Sequence, residues 1–154
     1  VADLVFRPVR KEDAAALAAN LRPSDEAEIV AAAGAAPVIT IARSLALSTY
    51  ATAVDRDGEL MALYGVAPLS LLGDVGTPWL LATPQLARHA RPLTRTARQY
   101  VVDALRFYPV LQNYVDVRNT ASIRFLSRLG FTLFDPEPYG AAGLPFRKFE
   151  MRRV

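Results

Sequence analysis

The residues best suited to chemistry are the arginines of Arg88-His-Ala-Arg-Pro-Leu-Thr-Arg95, with Arg98 one turn further on. They crowd the start of a helix predicted over roughly 92–107, where Leu93, Ala97, Tyr100, Val101, Ala104, Leu105 and Tyr108 recur at helical spacing. The first N–H groups of a helix lack partners and its dipole makes that end positive, so an anion is favoured there. Cationic side chains oppose the dipole at the same place, which makes a bound anion the simpler explanation for them. His89, the only histidine, lies in this loop as a candidate base, with an exposed loop residue as the competing reading. The absence of cysteine removes disulfides, thiolate-bound metals and a thiol nucleophile. No metal site is expected.

A second pattern is Asn119-Thr-Ala-Ser-Ile-Arg-Phe-Leu-Ser-Arg-Leu-Gly-Phe131, preceded by the strand-like Asn113-Tyr-Val-Asp-Val-Arg118. Asn119 and Gly130 read first as helix cap and helix stop. Arg124 and Arg128 lie one turn apart on a solvated face. Trp79 sits in an apolar strand and reads as core. Tyr64, Tyr100, Tyr108 and Tyr114 read as packing residues with a hydroxyl at the boundary. Tyr139 falls in a Pro/Gly-rich segment, as a turn residue or as the lining of a cleft.

The elements that must position these groups follow in order. A short strand over Leu4–Arg10 leads into a helix over Lys11–Ala19. A second helix starts at Pro23-Ser24-Asp25, with Glu28 in capping-box spacing, and ends at Gly34 and Pro37. Val38–Leu47 is a third helical stretch. Strands at 50–54 and 60–66 flank the Asp57-Gly58 hairpin turn. The near-continuous apolar run Thr77–Thr83 predicts a strand covered on both faces. After the 92–107 helix come a strand at 113–118, a helix at 119–129, a strand near 131–134, a loop with Pro136, Pro138, Gly140 and Gly143, and a strand at 146–152. The expected fold is α/β of the α+β kind: a mixed, mostly antiparallel sheet of six to seven strands with helices on both faces, in a single domain over 1–154.

The 154 residues are 52% hydrophobic and 21% charged, which excludes a wholly disordered chain. The formal charge is only +3, and the arginines are spread along the length, so nucleic acid is an unfavoured partner. No apolar run of about 18 residues predicts a membrane span. Val1-Ala-Asp3 has neither the charged nor the apolar region of a signal peptide, so cytosol is the expected compartment.

The Asn119–Phe131 segment resembles the last conserved block of the GNAT superfamily of acyl-CoA-dependent N-acetyltransferases. Phe6-Arg-Pro-Val-Arg-Lys-Glu-Asp13, the Asp57-Gly58-Glu59 hairpin and Thr77–Thr83 with the following helix are similar to earlier family blocks, in the same order. The Pro-Trp-Leu-Leu run and Val-Arg-Asn-Thr-Ala-Ser also look like small GNAT-like proteins of tailed phages. The resemblance implies that the fourth and fifth strands splay, that the pantetheine arm of acetyl-CoA lies along Leu80, Leu81, Ala82 and Thr83, and that its pyrophosphate meets Arg88, Arg91 and Arg95. Asn119 joins these as a candidate cofactor residue. An amine acceptor, on a small molecule or a peptide, would enter beside the 20–49 helices and the 135–145 segment.

Two parts of the family pattern are altered. Its glycine-containing phosphate loop has Ala90 and Pro92 here, and Pro92 offers no N–H. Where many members carry a tyrosine that protonates the thiolate, this chain has Leu126. Asp116, Glu59 and Asp74 are the nearest acids for the base, and none stands out, so the catalytic residues stay unassigned. Two functions follow: acetyl transfer from acetyl-CoA to an amine, or a catalytically inactive GNAT-fold phage protein in virion assembly or host interaction. The second carries a virion-associated location, and its partners would be a phage structural protein or a second copy of the chain.

Overall fold

A computed structural model describes residues 3–154, so the signal-peptide reading at Val1 and Ala2 lies outside the described residues. Asp57 and Gly58 both take positive φ, 52° and 77°, as a tight two-residue hairpin of the primed kind demands. The turn joins β2 (Tyr50–Arg56) to β3 (Glu59–Pro68), with Arg56 opposite Glu59. β1 (Val5–Pro8) pairs outside β2, and β4 (Val75–Ala82) pairs antiparallel with β3. β5 (Val110–Asp116), β6 (Thr132–Tyr139) and β7 (Leu144–Arg152) complete one seven-stranded sheet in the order β1-β2-β3-β4-β5-β7-β6. Among the described residues, only the β4–β5 pairing is parallel.

Between β1 and β2 run α1 (Asp13–Ala19), α2 (Pro23–Ala33) and α3 (Pro37–Leu47). Leu17, Ile29 and Ile41 from these helices bury one sheet face against Ala53, Leu63 and Leu81. On the other face lie α4 (Ala90–Phe107), entered through a 3₁₀ turn at Pro84–His89, and α5 (Thr120–Leu129). Val101, Ala104, Leu126 and Leu129 pack there on Val66, Leu111, Val115 and Phe149. Asn119 caps α5, its Oδ1 accepting the Ser122 N–H at 3.3 Å. Gly130 ends it at φ 99°, where Phe131 N–H returns to Leu126 O.

β4 and β5 pair only at Val75↔Val110 and Gly76↔Leu111. Gly76 lets the Tyr108 ring close that end, since a Cβ there would stand 2.5 Å from the ring. Pro78 then stops the ladder, because it has no N–H to donate across to β5. Asn113 spans the break: its Nδ2 donates to Pro78 O at 2.8 Å and its Oδ1 accepts the Tyr114 N–H at 2.8 Å. Beyond this point the strands diverge.

Three expectations need correction. The segment carrying Pro136 and Pro138 is not a loop but the body of β6. β6 is the sheet edge and its register slips between Leu133 and Pro136, so prolines interrupt no second ladder. β5 begins at Val110, ahead of the expected 113. The capping box at Asp25 and Glu28 does not form: the α2 N-cap is Arg22, without a side-chain cap, and Glu28 reaches across the sheet instead.

Candidate active site in the gap between the fourth and fifth strands

The divergence of β4 from β5 leaves a cavity of about 240 Å³ that passes through the sheet. Glu28, Ile29, Thr40 and Trp79 line its α1–α3 side, and Leu93, Ala97, Tyr100, Phe125 and Leu126 line its α4–α5 side. In the β3–β4 register Thr83 N–H bonds Met61 O, so alternate residues 78, 80 and 82 turn their peptide groups toward β5. Those of Ala82 are engaged: its N–H donates to Asp25 Oδ2 at 2.9 Å, and its C=O accepts Arg22 N–H at 2.8 Å. Leu81 lies in the ladder with Leu63. Of the predicted pantetheine segment, Leu80 is the residue whose peptide groups face the gap.

α2 bridges that gap. Asp25, 1% exposed, is held by the Arg22 guanidinium at 2.9 Å and ties the helix start to β4. One turn later Glu28 Oε1 accepts the Asp116 N–H of β5 at 2.6 Å. Burial pushes the Glu28 carboxyl up to about 7, opposed by that N–H and reinforced by the nearby charges of Asp25 and Asp116. A carboxyl near 7 in a cavity wall is suited to take a proton at neutral pH. Sequence reasoning missed it, and the only local signal, an acid three residues after Asp25, pointed to a cap.

The three acids named from sequence fare differently. Asp116 borders the gap, but its carboxylate is bound by Arg118 at 2.6 Å, which with the Arg118 N–H holds it below the usual range. Glu59 is exposed at the hairpin, and Asp74 is exposed at the closed end of the sheet, where its C=O accepts Val110 N–H.

Arg88 lies in the 3₁₀ turn, and Arg91 and Arg95 in the first turns of α4; all three side chains are exposed. α4 has no acid in its first turn and no side-chain cap, and its N-cap is His89. Pro92 takes the third helical position and has no N–H to offer an anion. Asn119 is 3% exposed, and its Nδ2 has no partner within hydrogen-bond geometry. Its influence on Glu28 is the smallest of the causes acting there. Thr83 opens the 3₁₀ turn, its C=O accepting Leu86 N–H.

Aromatic side chains complete the cavity. Trp79 is half-buried, and its Nε1 donates to Ser48 Oγ at 2.8 Å. Tyr139 lies at the end of β6 against Tyr114, ring centroids 4.0 Å apart, and against Phe146 at 5.1 Å. Tyr100 donates its hydroxyl to Gly65 O. Leu126, in α5, presents an alkyl group to the cavity.

No protein-family model matches the chain, and no curated protein matches it. Solved structures do. The ribosomal-protein-alanine N-acetyltransferase of Brucella melitensis superposes with a TM-score of 0.74 at 15% identity, covering 97% of this chain and 99% of that one. The yncA protein of Salmonella typhimurium, solved with its cofactor acetyl-CoA, gives 0.67 at 18% identity, covering 97% and 93%. An acetyltransferase of the GNAT family from Streptococcus pneumoniae gives 0.66 at 14% identity, covering 99% and 100%. The seven-stranded sheet, split between its one parallel pair, is the GNAT fold.

Proposed function

We propose that the protein is an acyl-CoA-dependent N-acyltransferase that moves acetyl from acetyl-CoA to a primary amine, with Glu28 as the general base. The observation that carries this reading is the gap between β4 and β5, walled by the Glu28 carboxyl. The cofactor fits what the residues offer. A thin extended arm can use the peptide groups of Leu80, and the anionic end has the start of α4 with Arg88, Arg91 and Arg95. Acetyl-CoA, when bound, supplies an acyl thioester whose C–S bond breaks as the C–N bond forms, its thiolate leaving with the electron pair.

Glu28 accepts the proton that the amine gives up. An acceptor that loses water around its ammonium loses part of its own basicity, which brings its pKa toward that of the carboxyl. The Asp116 N–H holds one Glu28 oxygen, and the Asn119 side chain acts on the same carboxyl. Leu126 has no proton to give, so water serves the thiolate.

The test is thiol release from acetyl-CoA with a panel of amines, compared between the wild type and Glu28→Gln. Amine-dependent release in the wild type, lost in the variant, supports the reading. Leu126 favours a second one, in which the fold binds without transferring and the protein acts in particle assembly or host interaction. Saturable acetyl-CoA binding with no thiol release under any amine would select it.

A further inference from the structure

The cavity carries a chemical signature on its α1–α3 side. Among the described residues lining it, Glu28 is the only carboxylate, and none is a lysine, arginine or histidine. Its walls there are Trp79, Tyr114 and Tyr139, with Ile29, Ala32 and Phe146 behind them. The Tyr114 and Tyr139 rings meet at 49°, giving a folded aromatic surface close to β5, the strand whose Asp116 N–H holds Glu28. Thr40 Oγ1 is buried on this side without a hydrogen-bond partner.

Each feature selects against an acceptor class. An amino acid would bring its carboxylate into a chamber with no cation to meet it. A polyamine or amino sugar would bring several cations to a single carboxylate, the others losing water without compensation. One cationic nitrogen on an apolar body meets no such cost: the carboxylate takes the nitrogen, aromatic faces favour the cation, and the walls bury the body.

Granted the acyl-transfer reading, we infer that the acceptor is a small primary monoamine with an aromatic or apolar body, its nitrogen beside Glu28 and its body against Trp79, Tyr114 and Tyr139. Thr40 would serve a polar substituent on that body. The balance is that of the proposed reaction: the ammonium passes one proton to Glu28, its nitrogen bonds the acyl carbon as the C–S bond breaks, and its second proton reaches the departing sulfur to release the thiol.

The experiment measures kcat/KM for 2-phenylethylamine, spermidine, alanine, glucosamine and an alanine-initiated peptide with acetyl-CoA. The expected result is a preference for 2-phenylethylamine of at least about tenfold over every other acceptor. Tyr139→Leu should raise its KM about tenfold while the KM for acetyl-CoA stays put. Preference for the peptide, spermidine, alanine or glucosamine overturns the inference, and so does a Tyr139→Leu variant with unmoved amine KM. If acetyl-CoA is neither bound nor consumed, the acyl-transfer reading fails by itself. Calorimetric titration with 2-phenylethylammonium alone then judges the pocket. Saturable binding weakened by Tyr139→Leu upholds an aromatic-amine site, and no binding at about millimolar concentration removes it.

Discussion

Glu28 of α2 and Asp116 of β5 are joined across the open part of the sheet by a 2.6 Å hydrogen bond from the Asp116 N–H to the Glu28 carboxylate. In a continuous sheet that N–H would belong to a strand ladder. Here a carboxyl group has taken the ladder's place, and the same contact holds it at the wall of the cavity. The two acids divide their roles by environment: Arg118 keeps Asp116 ionised, while burial keeps Glu28 near neutrality in pKa.

Glu28→Gln preserves the bond to Asp116, since an amide oxygen also accepts, and removes the proton acceptor. Thiol release should fall by at least about 100-fold with acetyl-CoA affinity unchanged. In the wild type the rate should rise with pH and level off above an apparent pKa of about 7. A flat profile between pH 6 and 8 would remove Glu28 from the chemistry.

The same residue makes a stability prediction of opposite sign. Its folded pKa of about 7 lies above the ordinary 4.5, so the folded state holds a proton that the unfolded chain releases between these values. Stability contributed by Glu28 therefore falls as pH rises from about 4.5 to 7, and stays reduced above that. Glu28→Gln should be more stable than the wild type at pH 8 by about 1–2 kcal/mol, after allowance for partial exposure, and nearly equal to it at pH 4.5. Urea unfolding at the two pH values checks this.

Arg91→Ala and Arg95→Ala should each weaken acetyl-CoA binding about three- to tenfold, with an additional loss at high salt in the wild type. Acetyl-dephospho-CoA and acetyl-pantetheine, titrated in parallel, identify which anionic group each arginine meets. Equal affinities for acetyl-CoA and acetyl-pantetheine would mean that the start of α4 holds no phosphate.

Leu126→Tyr places a phenol at the cavity wall in α5. It should raise kcat at least about tenfold if protonation of the leaving thiolate limits turnover, without changing acetyl-CoA affinity. Single-turnover thiol release measures it directly.

Gly76→Ala tests the closed end of the gap, where a Cβ would stand 2.5 Å from the Tyr108 ring. A loss of about 2–3 kcal/mol in urea unfolding is expected from the overpacking.

Much of the scaffold could be read from short-range signals. Asp57-Gly58 needs only its own φ values to make a hairpin, and Asn119 with Gly130 marks both ends of α5 through contacts within one turn. The split between β4 and β5 has a local cause as well, in Pro78. What sequence did not reveal depends on distant partners. Glu28 meets Asp116 88 positions away, and nothing near residue 28 encodes that meeting. Tyr139 reads as a turn residue because Pro136 and Pro138 precede it and Gly140 follows, yet those prolines sit on an edge strand, where their missing N–H groups are tolerated. The engagement of Ala82 by Arg22 and Asp25 was hidden for the same reason.

Calorimetric titration of acetyl-CoA into the wild-type protein bears most directly on the gap as a cofactor slot. Saturable binding at micromolar concentration is expected, with a rise in melting temperature that grows with ligand concentration. An absence of both heat and melting shift at about 1 mM acetyl-CoA would contradict it.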